Sequence, residues 1–163
     1  MEKGIYQHIV SVVCGLVTDG SGRLLAAQRS ERMPLPLKWE FPGGKVSDNE
    51  VPQDALVREL REELTISVRP SVRLPAFDYA EETRVIRLLP FVCQLPAGEV
   101  IRLTEHAQYR WVEKNELMTL DWAAADIPLA EYVQSEWETL FFAPPADQKD
   151  AQQHQRSAGK LVP

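Results

Sequence analysis

A chain of 163 residues suits one domain with a sizeable core. With 44% apolar and 26% charged residues it is neither a disordered nor a fibrous chain, and a net charge of −6 argues against a groove that tracks a nucleic acid backbone, which needs a basic stripe. The apolar run at 9–17 is short and broken by Ser11 and Gly15, and nothing resembles a signal peptide, so the expectation is a cytoplasmic protein without membrane or nucleic acid polymer as partner.

Residues 7–18 (QHIVSVVCGLVT) predict a first strand, buried on both faces near its middle. Asp19-Gly20-Ser21-Gly22 reads as a turn, and 23–29 (RLLAAQR) as the returning strand of a hairpin. Residues 30–37, with two prolines, form a loop fit to border a pocket, 39–41 is short and extended, and 46–51 links it to a helix. The only two cysteines, Cys14 and Cys93, lie in apolar strand-like runs and are expected as buried thiols in a reducing compartment.

The helix starts at Pro52, a residue suited to the first helical position. Leu56, Leu60 and Leu64, with Val57 beside them, make a stripe that packs on a core. Glu59, Glu62 and Glu63 stand at i, i+3 and i+4 on another face, where like charges repel. Two readings are open: a solvated acidic face with pairs such as Arg58 to Glu62, or a set of hard oxygen ligands for a divalent cation. Gly43-Gly44, directly after Trp39-Glu40-Phe41-Pro42, favours the second, because a glycine turn lets backbone approach a ligand or metal. The Lys-Ser/Thr ending of a phosphate-binding P-loop is absent.

Beyond the helix, 66–80 and 84–95 read as a strand pair around Glu81-Glu82, and 109–112 as a short strand. Residues 126–142 carry apolar residues at helical spacing, with Pro128 near the start. From Ala143 the chain is polar and lacks Phe, Trp and Tyr, so the expected division is a domain at 1–142 and a flexible tail at 143–163. Helices and strands mix without a strict β-α-β rhythm, which predicts an α/β (α+β) fold with a mixed sheet between helices.

Five residues separate Gly44 from Glu50, seven separate Glu50 from Arg58, and Arg58-Glu59-Leu60-Arg61-Glu62-Glu63 follows, with Ile66 beyond. This spacing resembles the Nudix box, whose usual glycine is replaced here by Thr65. The resemblance implies a mixed sheet sandwiched between helices and a less comfortable C-terminal turn at Thr65. Ala27-Gln28-Arg29, Lys38-Trp39-Glu40-Phe41-Pro42-Gly43-Gly44-Lys45 and Ala124-Ala125-Asp126-Ile127-Pro128-Leu129 further resemble the MutT-type branch, which hydrolyses nucleoside triphosphates, and within it the CTP pyrophosphohydrolases.

By this resemblance Glu59, Glu62 and Glu63, with the main-chain oxygen of Gly43, hold Mg2+, or alternatively Mn2+. Glu105, six residues before Trp111, is a further metal ligand or the general base. Arg29 holds phosphates, Glu40 and Lys45 belong to the substrate-binding stretch, and Asp126 reads the base edge where MutT has an asparagine. Phe77 stacks on the base. Gly44, Glu50 and Arg58 are structural, the last two as an ion pair orienting loop and helix. Bland readings stand beside these: Arg29 as a strand-end surface arginine, Glu105 as an ordinary loop acid, Phe77 as core, and His106 as a solvated loop histidine.

The implied activity is metal-dependent cleavage of a nucleoside triphosphate such as 8-oxo-dGTP, CTP or methylated dCTP to the monophosphate and pyrophosphate, serving nucleotide-pool sanitation; a monomer fits the branch, and a dimer stays open. Its rivals are a nucleotide- or modified-base-binding module without hydrolysis, and a Nudix hydrolase of another diphosphate such as ADP-ribose.

Overall fold

Two long apolar strands lie side by side at the centre and set the positions of everything around them. The computed structural model describes residues 8–142, so the tail expected after Ala143 lies outside the described residues. β1 (His8–Thr18) and β7 (Arg84–Gln94) run parallel in unbroken register from His8 opposite Arg84 to Thr18 opposite Gln94. Along β1 the side chains alternate as a strand requires. Val13 and Val17 face one layer, Cys14 and Leu16 the other.

The first layer is α1 (Pro52–Leu64), entered from Val51 through a proline, as expected. Leu56, Leu60 and Leu64 are fully buried against Val13, Val17, Leu25 and Leu89. Each such leucine contributes about 2 kcal/mol of apolar burial. On the opposite face lie α2 (Ile127–Ser135) and α3 (Trp137–Phe141), whose Leu129, Val133 and Trp137 pack on Cys14, Leu16, Leu24 and Val92. The helix expected over 126–142 is thus two helices separated at Glu136, preceded by a 3-10 turn at Ala124–Asp126. The result is the mixed sheet between helices.

The expected hairpin survives only at its turn. β1 meets β2 (Leu24–Gln28) at the single pair Thr18 and Leu24, where the Asp19 carboxylate accepts from the Ser21 N–H at 2.8 Å and the Arg23 Nε–H at 2.7 Å. Beyond that pair β2 turns to β3 (Trp39–Glu40) and β8 (Gln108–Val112). The flank of β1 that β2 leaves is filled by β4 (Gly43–Lys45), with Val12, Val13 and Cys14 opposite Lys45, Gly44 and Gly43. The strand expected over 66–80 is also two, β5 (Arg69–Arg73) and β6 (Phe77–Ala80), both antiparallel to β7. Pro75 sits in the gap, where the missing N–H does no harm to a ladder.

Cys14 and Cys93 are free and buried, and burial pushes the Cys93 thiol up to about 12 and that of Cys14 well above its ordinary value. Both are therefore inert thiols. Among the described residues no helix is long and apolar enough to cross a membrane.

Candidate active site

Gly43 and Gly44 are required for room rather than for a turn: neither has positive φ. A Cβ on Gly43 would lie 1.9 Å from the carbonyl oxygen of Val13, and one on Gly44 would lie 2.2 Å from the carboxyl carbon of Glu59. The expected glycine turn is thus a short strand, pressed on one side against β1 and on the other against a helix-borne acid. The close approach it makes is to the Val13 carbonyl oxygen and the Glu59 carboxylate.

Arg58 forks across Glu50, donating from Nε at 2.7 Å and from Nη2 at 2.8 Å, with Nη2 also 3.2 Å from the Lys45 carbonyl oxygen. Its Nη1 reaches Glu59 at 2.8 Å. This is the ion pair expected to orient loop and helix. The arginine, then the Ser47 N–H, draws the Glu50 carboxyl down to about 2, and Arg58 is itself raised.

Glu63 is the contrasting acid. Burial pushes its carboxyl up to about 8, and Glu40, Glu59 and Glu105 add to the rise while a hydrogen bond from the Gly43 backbone opposes it. Its Oε2 is buried and lacks a hydrogen-bond partner among the described residues. Glu62 goes elsewhere: its side chain is 60% exposed, with Arg58 Nη1 at 3.5 Å. The three helix glutamates therefore do not converge by themselves, and among the described residues no three Asp, Glu, His or Cys groups form a ready metal cage. The acids that gather on Glu63 are Glu59 from the same helix, Glu40 from β3 and Glu105 from the loop before β8.

That loop is tied to the end of α1. Thr104 donates its N–H to the Glu63 carbonyl oxygen at 3.1 Å and its hydroxyl to that of Glu62 at 2.9 Å, and the Arg102 N–H reaches the Leu64 carbonyl oxygen at 2.9 Å. Orphan carbonyls at a helix end need such donors. Thr65 ends the helix in the left-handed region, with φ 61° and ψ 28°, and its hydroxyl donates to the Arg102 carbonyl oxygen at 3.1 Å. A β-branched residue there is strained, as the departure from glycine implied.

Arg29 is no free surface arginine. Its Nη1 lies 2.5 Å from Glu40 Oε2, its Nε donates to the Pro34 carbonyl oxygen, and its side chain is largely covered. Glu40 Oε1 meets His106 Nε2 at 2.8 Å. The histidine expected in solvent is buried, its ring turned inward to Glu40 while Glu105 before it and Ala107 after it stay exposed. Asp126 is buried beside this group, its carboxylate accepting from the Phe41 N–H at 3.0 Å. Burial pushes it up to about 7, with Glu40 adding and the Phe41 N–H and Arg29 opposing.

Lys45 ends β4 with an exposed side chain. Phe77 packs against Tyr132, ring centroids 5.5 Å apart, which is the core reading. Sequence reasoning missed Thr104 as a helix clamp and Phe41 as the donor holding Asp126. Neither carries a local signal, since both contacts depend on segments distant in the chain.

A buried carboxylate oxygen without a partner, other acids around it and a glycine that yields space form an all-oxygen donor set of the kind a hard divalent cation takes. Glu59, Glu63 and Glu105, the exposed Glu62 and the Gly43 carbonyl oxygen are the groups available to it.

Comparison with known proteins supplies an independent view. A profile of the NUDIX domain matches residues 8–133. The CTP pyrophosphohydrolase of Escherichia coli is 33% identical over 123 residues, covering 76% of this chain and 90% of that protein. An 8-oxo-dGTP diphosphatase of Haemophilus influenzae is 31% identical over 111 residues, covering 68% and 81%. The solution structure of the E. coli ORF135 protein superposes with a TM-score of 0.70 at 31% identity, over 86% of this chain and 96% of that one.

Proposed function

The chain belongs to the NUDIX family, and on that premise we propose that it cleaves a nucleoside triphosphate to the monophosphate and pyrophosphate using Mg2+, with Mn2+ as a substitute. The enzyme is a Nudix hydrolase of the nucleoside triphosphate pyrophosphohydrolase type. The observation that carries the metal-dependent reading is the buried Glu63 oxygen that lacks a hydrogen-bond partner among the described residues, with three further carboxylates near it.

Glu59, Glu62, Glu63 and the Gly43 carbonyl oxygen would hold the cation. When bound, it neutralises polyphosphate charge and lowers the pKa of water. The protein's own part is alignment, which dominates phosphoryl-type transfer. Arg29, with Nε and Nη1 committed to Pro34 and Glu40, offers Nη2 to a phosphate oxygen. Lys45 adds positive charge from its exposed position. Water attacks the β-phosphorus, the bond from it to the α,β-bridging oxygen breaks so that the monophosphate leaves and pyrophosphate forms, and Glu105 takes the water's proton or serves as a further ligand. Asp126, fixed by the Phe41 N–H, meets the base edge. The relatives' names support CTP and 8-oxo-dGTP as substrates to compare, and methylated dCTP joins them as a cytosine analogue. A cytoplasmic monomer keeping the nucleotide pool clean fits this reading.

The test is a pyrophosphate-release screen over canonical, oxidised and methylated nucleoside triphosphates plus ADP-ribose, with Mg2+. Wild type should release pyrophosphate from at least one triphosphate, and folded Glu63→Gln should lose about a thousandfold or more, because an amide cannot bind the cation as an anion. A silent wild type, or an active Glu63→Gln, overturns the proposal.

A further inference from the structure

Glu40 joins the two halves of the site. One oxygen holds Arg29, the other meets His106, and its charge bears on both Glu63 and Asp126. A carboxylate can only orient a guanidinium if it is itself held, and the His106 side chain, with no exposed surface, is what holds it. Its Nε2 is the ring atom facing Glu40, so it is the N–H that donates there. The other nitrogen, Nδ1, is buried without a hydrogen-bond partner among the described residues, so His106 has one polar engagement, directed at Glu40. The next residue, Ala107, donates its N–H to the Gln28 carbonyl oxygen at 2.9 Å, which fixes this point of the loop beside the end of β2, just before Arg29.

We propose that His106 is a positioning residue for substrate phosphates: its Nε2–H fixes the Glu40 carboxylate, which fixes the Arg29 guanidinium. The inference rests on the reading of Arg29 as the phosphate-binding group. It gives His106 no proton to transfer and no contact with substrate. Its loss should weaken binding more than turnover, because a loosened guanidinium removes attraction present in ground and transition states alike.

The test uses His106→Leu, His106→Asn and His106→Gln in the full chain, with KM and kcat measured on the best triphosphate from the screen. The glutamine amide reaches about where Nε2 lies, whereas that of asparagine stops short. His106→Leu and His106→Asn should raise KM about tenfold with kcat changed less than about threefold, and His106→Gln should restore most of the loss. In an Arg29→Ala background His106→Leu should add less than about twofold, since both changes act through one contact. If the leucine variant does not fold, asparagine against glutamine carries the comparison. Unchanged KM in all variants, collapse of kcat with KM intact, or full additivity with Arg29→Ala overturns the inference. Should wild type hydrolyse nothing, the proposed function falls instead, and the inference is read by equilibrium binding of CTP with Mg2+. There His106→Asn must weaken binding and His106→Gln restore it, and any other pattern, including no binding by wild type, overturns it.

Discussion

Glu50 and Glu63 belong to one short motif, yet the fold drives their carboxyls in opposite directions, to about 2 and to about 8. Glu50 sits in a bidentate fork from Arg58 with solvent at hand, so every oxygen is satisfied. Glu63 is partly buried among other acids, with its Oε2 buried and lacking a hydrogen-bond partner among the described residues. The first arrangement stabilises a structure, and the second disfavours the carboxylate form, which a bound cation would favour. Motif residues of one chemical type thus divide into scaffold and reactive group by their solvent and neighbours alone.

The largest break in this comparison comes from the glycine that opens the motif, Gly44. Gly44→Ala puts a methyl group where the Glu59 carboxylate lies, so the acid must move. Pyrophosphate release should fall about a hundredfold, with a stability loss of about 1–3 kcal/mol in denaturant melts. A Gly44→Ala enzyme of normal turnover would detach Glu59 from the chemistry.

Next is buried Asp126, which like Glu63 has a raised carboxyl and feels the charge of Glu40. Its folded pKa, about 7, exceeds the unfolded value of about 3.9, so the folded state binds the proton more tightly. Stability contributed by this group is therefore greatest below about pH 4 and is lost as pH rises toward 7, by on the order of 2–4 kcal/mol. Asp126→Asn should flatten that slope in melts taken across pH, and shift relative rates across bases. An unaltered slope would remove the assignment.

Stability sharpens the contrast further. Glu50→Gln should lower the melting temperature modestly and in a salt-dependent way, as for a partly exposed pair, whereas Glu63→Gln should hold or raise it by removing a carboxyl whose ionised form burial and its neighbours disfavour. Equal losses in both would show that Glu63 is as well satisfied as Glu50. The smallest effect is Thr65→Gly: relief of the left-handed strain, offset by the lost hydroxyl contact to Arg102 and a more flexible unfolded chain, should leave a gain of about 0.5 kcal/mol in chemical denaturation. A net loss would make the hydroxyl contact the larger of the two.

Local periodicity made much of this legible. The Leu56, Leu60, Leu64 stripe, the proline start of α1 and the mixed sheet follow from spacing, and the Glu50–Arg58 pair from the motif. The sequence does not say which edge of β1 each partner takes. Residues 23–29 look like an ordinary return strand, and only the tight Asp19 turn followed by pairing with β8 and β3 makes way for β4. The acids show the same limit. Spacing puts Glu59, Glu62 and Glu63 on one side of a helix, but the line between wet and buried falls between Glu62 and Glu63 and is drawn by the loop at 102–107. His106 lies on the buried side of that line for the same reason, and no local pattern marks it.

Because Thr104 and Arg102 satisfy the last carbonyls of α1, the helix terminus and the strap bearing Glu105 form one cooperative unit. Fraying there strips Glu105 from Glu63 in the same event that bares the Leu64 carbonyl. Warming the enzyme should therefore switch off turnover at that seam well before the sheet melts, making thermal inactivation a local rather than a global failure.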